Sequence, residues 1–487
     1  MKKYLYQVDQ NIKVVESVDV LIVGGGFGGI CAALSASRAG RRTALVEKNA
    51  LLGGQAAEID TWGLDGFVSR DGHLVVAGYP WEILWKIVKE GGSDTFFDKF
   101  PIDIMEKEGI EAALQKAGLK EYVPYIQTGT FMNPFNDQYV NPNAYRYVAA
   151  CELEKAGVSV FLGMPVVDVI MEDNAANGVV IQGEFEKFAI LAERVVDTTQ
   201  GASVCALAGK IFAHPKAYVG TLPRIAGVDI HRVIDYIRNT EDEWFLRPMV
   251  GTKADPDIME SLVNKGNPLA IHGFTKALNQ AVKEYPEYEL IKRMGKSLMF
   301  FYERDTVGAY WAIDDVLNQT DVSDPVKYSE AILTERKQQW LVHKFFVNYV
   351  PGFENAHLLD TYANISKAYH QSLEPSGFTE YNITEEEIQS GICEREDYIV
   401  KILGHPMSGQ NAGGWYIPLA ALTPKGLDNI LVTGKPACRK IHYIASCALV
   451  GQAAGAAAAE SLIEEKSLRK TDPEEIRKLL RKQGVLI

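Results

Sequence analysis

Along the first fifty residues, hydrophobic and polar positions fall into blocks. An apolar run at 18–23 has the texture of a strand buried on both faces of a parallel sheet. An alanine-rich stretch at 30–39 predicts a helix, and a second apolar run at 43–46 predicts another buried strand. Further on, 144–156 has helical periodicity with Gly157 as its C-cap, and 158–162 reads as a strand. Strands are also expected at 165–171, 178–182 and 185–191, the last in a small antiparallel layer. At 194–201 a strand runs into small residues and glycine. Between 213 and 404 the texture changes to mixed aromatics, charges and helical stretches, including a helix at 330–349. An apolar strand returns at 428–433 and ends at Gly434. The stretch 445–461 is a helix of almost wholly small residues, and 464–487 is a charged tail expected to form a surface helix.

Composition narrows the class. The 487 residues are 47% hydrophobic and 23% charged, the texture of a globular chain of two or three domains. A net charge of −13 argues against a nucleic-acid or anionic-membrane surface. The first ten residues lack the apolar core of a signal peptide, and no eighteen apolar residues run uninterrupted, so no membrane span is expected. The six cysteines are scattered without a CxxC pair. That pattern disfavours zinc, an iron–sulfur cluster or a disulfide framework, and reduced thiols in a cytoplasm are the simplest reading. A homo-oligomer is left open.

The glycines between the first strand and helix carry the first chemical signal. Gly24, Gly26 and Gly29 fit G-x-G-x-x-G, and Glu47 ends the second strand about twenty residues on. Gly24 suits a tight turn, Gly26 lets backbone approach a pyrophosphate, and Gly29 allows close helix–strand packing. The helix start offers free N–H groups to phosphates, and Glu47 can accept from a ribose. The motif alone is weak and can be a glycine-rich turn that binds nothing. Here strand, glycines, helix, strand and acid stand in order. The pair Gly53-Gly54 followed by Gln55 is similar to FAD-binding flavoproteins rather than NAD dehydrogenases. No second G-x-G-x-x-G suggests a built-in NAD(P)H domain.

Taken together, VDVLIVGGGFGG, NALLGGQAA, VNPNAYRYVAACELEKAGV, RVVDTTQGASVCALAG, NYVPGFENA, YNITEEEI, GWYIPLAALTPKGLDNILVTGKP and CALVGQAAGAAAA run through nearly the whole chain. They resemble the FAD-dependent oxidoreductase family related to the fumarate reductase and succinate dehydrogenase flavoproteins. The resemblance implies an α/β fold: a Rossmann-like FAD-binding domain, with a parallel sheet and small antiparallel layer, plus an inserted α+β cap or substrate domain. The FAD domain would be discontinuous, at 14–62, 140–212 and 404–465. The cap would take 63–139 and 213–403, and the tail 466–487. Gly24, Gly26, Phe27, Gly28, Gly29, Glu47 and Lys48 would hold the ADP half of FAD. Gly53, Gly54 and Gln55 would lie under the pyrophosphate and ribityl chain, and Val167 would face the adenine. Thr198, Thr199 and Gly201 would approach from the second return. Gly434, Gly451, Gln452 and Ala453 would sit near the ribityl chain and isoalloxazine.

The departures from the family pattern fall on the substrate side. Gln200 stands where glycine is common, SLEPSGFTEY replaces an arginine-bearing motif, the segment after Gly434 is shortened, and His442 falls near a usual arginine. Asn49, Ala50 and Leu51 occupy the region where some relatives carry a histidine for covalent flavin, and the cysteine clusters of electron-bifurcating relatives are missing.

Flavin chemistry needs a hydride path and a proton donor or acceptor. His442 is the candidate acid/base and Arg439 the candidate clamp for a carboxylate or carbonyl. The plainer reading of His442 is a cap of the following helix or a hydrogen bond to the flavin. Arg304 and His272, in the cap, are further catalytic candidates. Their plainer readings are a salt bridge and a satisfied core histidine. The expected activity is hydride transfer between a small polar organic substrate and flavin N5, with an unidentified electron donor or acceptor. The alternatives are a flavin subunit of an electron-transfer complex, or an isomerase or hydratase without net redox change.

Overall fold

The computed structural model describes residues 11–58, 64–67, 75–90, 112, 116, 137–138, 140–210, 216–220, 223–240, 245–246, 255–264, 269–292, 298–303, 306–311, 319–361, 366–369, 378–390, 396–402, 414–438, 441 and 443–487. In its amino-terminal half β1 (Lys13–Val23), α1 (Phe27–Arg38) and β2 (Thr43–Glu47) follow one another, as the apolar blocks predict. β1 begins before the apolar run. Lys13 and Val14 keep pairing with the neighbouring strand although their side chains are exposed. Next come α2 (Pro142–Lys155), β3 (Ser159–Leu162), β4 (Val166–Glu172), β5 (Ala175–Gln182) and β6 (Lys187–Asp197). Asn141 caps α2 by accepting the Asn143 N–H, with Pro142 at its first position. After the cap region the chain returns as β7 (Ile430–Val432) and α3 (Ile444–Ile463).

These seven strands form one sheet in the order β3-β2-β1-β6-β5-β4, with β7 also on β6. The β3–β2, β2–β1, β1–β6 and β6–β7 pairs are parallel, and β6–β5 and β5–β4 are antiparallel. The sequence pattern at 185–191 and 194–201 suggested two strands. The structure joins them in the single strand β6, because β1 pairs with it from Phe188 to Asp197. The opposite edge of β6 is shared. Lys187–Leu191 faces β5, and Val195–Asp197 faces β7. This explains why one strand shows two textures.

α3 crosses α1 with almost no side chain between them. A Cβ on Gly451 would come 2.1 Å from the Gly28 carbonyl oxygen, and one on Gly455 2.2 Å from that of Ala32. The small-residue composition of α3 is therefore a packing requirement: the two backbones touch. α3 is long and apolar enough by composition to cross a bilayer, yet 78% of its apolar window is buried inside the fold. The charged tail is more than a surface helix. In Pro473–Lys482, Ile476 and Leu480 are buried, as is Val485 beyond it. Gln483 accepts from the Ser35 hydroxyl at 2.8 Å and from the Gln452 amide at 3.2 Å, strapping the tail onto both crossing helices.

Between β6 and β7 the chain builds a different layer type. Strands Phe245–Leu246, Leu269–Gly273, Leu298–Glu303, Thr306–Trp311, Arg224–Ala226 and His357–Asp360 form an antiparallel six-stranded sheet in that order. A three-stranded sheet joins Gln319–Asp321, Lys216–Gly220 and Ser366–Tyr369. The 25-residue helix Pro325–Tyr349 buries Val342, Phe345 and Phe346 against this half and is capped by Asp324, which accepts from the Val326 and Lys327 N–H groups.

Candidate cofactor-binding site

Parallel register brings the carboxyl ends of four strands to one edge of the sheet. Val23 is level with Val46 and Asp197, and Asp197 with Val432. Beyond that line lie the turn Gly24–Gly26, Glu47, Thr198 and Gly434. This is where open parallel sheets bind ligands.

The turn is built to be empty of side chains. Gly24 has φ of 109°, and a Cβ there would meet the Thr198 hydroxyl at 2.7 Å. A Cβ on Gly29 would sit 1.8 Å from the Gly24 carbonyl oxygen, so this position admits only glycine. Gly26 differs: the nearest atom to its would-be Cβ is Gly54 Cα at 4.0 Å, so this position has room that Gly24 and Gly29 lack. The pair Gly53-Gly54, with φ of 107° and 59°, crosses directly over it. The Gly53 N–H donates to the Gly25 carbonyl at 2.8 Å. Gln55 begins a short helix, Gln55–Glu58, immediately after the crossing.

α1 starts from Gly26 without a side-chain cap and with no acidic residue in its first turn. Its first intrahelical bond is donated by Ile30 to the Gly26 carbonyl, so the Phe27, Gly28 and Gly29 N–H groups precede the ladder. The Phe27 ring is buried edge-on to Tyr145, 5.5 Å between centroids, which leaves its backbone as the part available to a ligand. Glu47 is buried at the end of β2. Its Oε2 accepts the Gly25 N–H at 2.6 Å and its Oε1 the Asn49 N–H at 2.9 Å, so the carboxylate is locked in place with lone pairs remaining. Lys48 is exposed beside it. An uncapped helix start, a glycine turn with room at Gly26 and a fixed carboxylate together fit a dinucleotide: amides for pyrophosphate, Glu47 for ribose hydroxyls.

The second return supports the turn more than it faces outward. The Thr198 hydroxyl donates toward the Val23 and Gly24 carbonyl oxygens, at 2.9 and 3.0 Å, and its N–H donates to Val23. The Thr199 hydroxyl donates to Asp197 at 2.6 Å and accepts the Ser203 N–H. Gly201 lies between Thr199 and the left-handed Ala202 that starts the helix Ser203–Leu207. Composition did not single out Asp197, yet it organises this corner. Fully buried, it accepts from Thr199, Val204 and Cys205 N–H groups. Burial pushes its carboxyl up to about 6 against those hydrogen bonds. A signal was present in the chain: an acid at a strand end followed by two threonines and a small-residue helix start.

The remaining predicted residues separate. Gly434 has φ of 67° and turns the chain after β7, its carbonyl accepting the Ala437 and Cys438 N–H groups. Val167 is a half-buried bulge residue of β4, the second strand after Gly157; nearby Met164 donates its N–H to the Glu47 carbonyl. Gly451, Gln452 and Ala453 lie two turns inside α3, and the structure gives them packing roles. Gly451 meets Gly28, Gln452 accepts the Tyr79 N–H at 2.9 Å, and Ala453 is buried. The intrahelical ladder of α3 starts with the Cys447 N–H donating to the Tyr443 carbonyl at 2.8 Å, well before Gly451. His272 belongs to the cap sheet, its backbone paired between Phe245 and Met299. Arg304, Arg439 and His442 lie outside the described residues.

Residues 19–367 match the family described as FAD dependent oxidoreductase. The chain belongs to that family. FAD is its cofactor, and the glycine crossing over α1 is the part of this FAD-dependent oxidoreductase suited to hold it. It is 28% identical over 178 residues to the all-trans-retinol 13,14-reductase of Macaca fascicularis and 27% identical over 180 residues to the Homo sapiens protein of the same name. Each alignment spans 35% of this chain and 28% of the relative. Among solved structures, a geranylgeranyl bacteriochlorophyll reductase-like protein from Thermoplasma acidophilum overlaps 96% of this chain and 84% of its own, with 14% identity and a TM-score of 0.42. A myxobacterial chondrochloren halogenase overlaps 96% and 80%, with 13% identity and a TM-score of 0.39. Such distant overlap says nothing about substrate.

Proposed function

We propose that this oxidoreductase transfers hydride between flavin N5 and a small polar organic substrate, and that it works as a reductase of an activated carbon–carbon double bond. The observation that carries the flavin part of this reading is the edge where Gly26, the start of α1 and the locked Glu47 converge: a dinucleotide cradle of backbone and one fixed carboxylate. The direction draws support from the two relatives named as retinol 13,14-reductases. Bound FAD would supply the hydride.

The chain's own residues would do the rest. The Phe27, Gly28 and Gly29 amides would bind the pyrophosphate, and Glu47 would accept from the ribose. The start of α3, after Tyr443, would direct its dipole at negative charge developing nearby. His442 would give the proton that completes reduction, and Arg439 would hold a substrate carboxylate or carbonyl. Both stand in the sequence between Gly434 and α3.

The test is anaerobic. The yellow holoprotein is reduced with dithionite and challenged with unsaturated acids, enones and conjugated polyenes, while the oxidised flavin band is followed. Return of the band with formation of a saturated product supports the reading. Reoxidation by quinones or proteins alone would overturn it. With a substrate in hand, His442→Ala should stay yellow and lose turnover.

A further inference from the structure

The long cap helix Pro325–Tyr349 carries an apolar ridge that nothing in the catalytic reading uses. Val326, Leu333 and Trp340 are 64, 62 and 56% exposed, on a helix that buries its opposite face. They recur every seven residues, so they fall on one line spanning roughly 21 Å. Glu330 and Lys337 stand between them and Lys344 follows, completing the alternating four- and three-residue spacing of a coiled-coil seam.

The charges along this seam are graded, each end also holding an opposite charge. Asp324 and Glu330 lie toward the amino end, with Lys327 near Asp324 at 3.7 Å. Arg336, Lys337 and Lys344 lie toward the carboxyl end, with Lys344 reaching Glu287 at 3.4 Å. A face with a net negative charge at one end and a net positive charge at the other is complementary to itself when inverted. Inverted about Leu333, Val326 meets Trp340 of a second copy, Leu333 meets itself, and Glu330 comes beside Lys337. The helix dipoles then run oppositely as well. An open groove of about 760 Å³ between Trp340 and the segment at Pro286–Leu290 gives the second helix's amino end a seat.

We propose that this ridge is the two-fold interface of a homodimer, formed by antiparallel pairing of Pro325–Tyr349 with the same helix of a second copy. A two-fold contact must be self-complementary, and this face is so in both apolar pattern and charge.

The holoprotein at 10–100 µM should sediment at about twice the mass of the 53.9 kDa chain. Leu333→Asp should sediment as one chain with its flavin absorbance and circular dichroism unchanged. Glu330→Lys should weaken dimerisation about tenfold, and Lys337→Glu added to it should restore pairing. Direction is read by cross-linking: Val326→Cys mixed with Trp340→Cys should form a disulfide-linked dimer, and Val326→Cys alone should not. A monomeric wild type at 100 µM, a dimer indifferent to Leu333→Asp, or self-cross-linking of Val326→Cys would each overturn the proposal.

Discussion

The two halves of this molecule use their residues in opposite ways. In the FAD half, the close contacts are made by backbone where side chains are removed: Gly29 against Gly24, Gly54 against Gly26, Gly451 against Gly28. In the cap, contacts come from side chains, as where Phe274, Phe345, Phe346 and Phe353 stack around the long helix. A cofactor shared by many enzymes can be held by a geometry that tolerates little change.

The sharpest way to break this contrast is to add one methyl group to the FAD half. Gly29→Ala places a Cβ on the Gly24 carbonyl oxygen and should cost about 3 kcal/mol or more, with loss of bound flavin. Absorbance near the flavin band and thermal melting check it, and a stable yellow variant would remove the basis of the contrast. Next comes Asp197. Its carboxyl is raised to about 6 by burial from 3.8 in the exposed state, so its protonated form is favoured by folding. That contribution is whole below pH 3.8 and is lost as pH rises through 6, a change of about 3 kcal/mol. Asp197→Asn should therefore flatten the part of the stability–pH curve between pH 4 and 7 in denaturant titrations. A curve parallel to wild type would refute the assignment.

A smaller effect is expected at Glu47. Glu47→Gln keeps the shape and weakens the charge-assisted bonds, so FAD affinity should fall about 10- to 30-fold, read by flavin titration of apoprotein. The smallest is in the cap. Arg232→Ala breaks an exposed pair with Glu354 at 2.8 Å and should change stability by under about 0.5 kcal/mol, without altering flavin content. Loss of flavin there would mean that an exposed cap pair supports the FAD half.

The same contrast decides what the sequence could reveal. Gly24, Gly26, Gly29 and Glu47 were legible because backbone approach demands glycine at fixed spacing from an apolar strand, and that demand is local. α3 was legible as a helix of small residues but its partner was not, since that partner is α1, more than four hundred residues earlier in the chain. The role of Asp197 depends on amides up to eight residues ahead, and that of Gln452 on Tyr79 and Gln483, so neither shows in a local pattern. The tail looked merely charged because its buried Ile476 and Leu480 are a thin apolar stripe in a polar helix. For the cap, residue types such as His272 were visible, but antiparallel pairing between distant strands sets where they stand.

The divided edge of β6 has a consequence for how the chain matures. The slot beside Val195–Asp197 is filled only by Ile430–Val432, after the whole cap has been made. At about 10 residues per second on a ribosome, that edge waits on the order of 20 s without its strand partner. During that interval the nascent FAD half is an open template for stray strands, so late synthesis, rather than the finished enzyme, is where this protein is most exposed to misassembly.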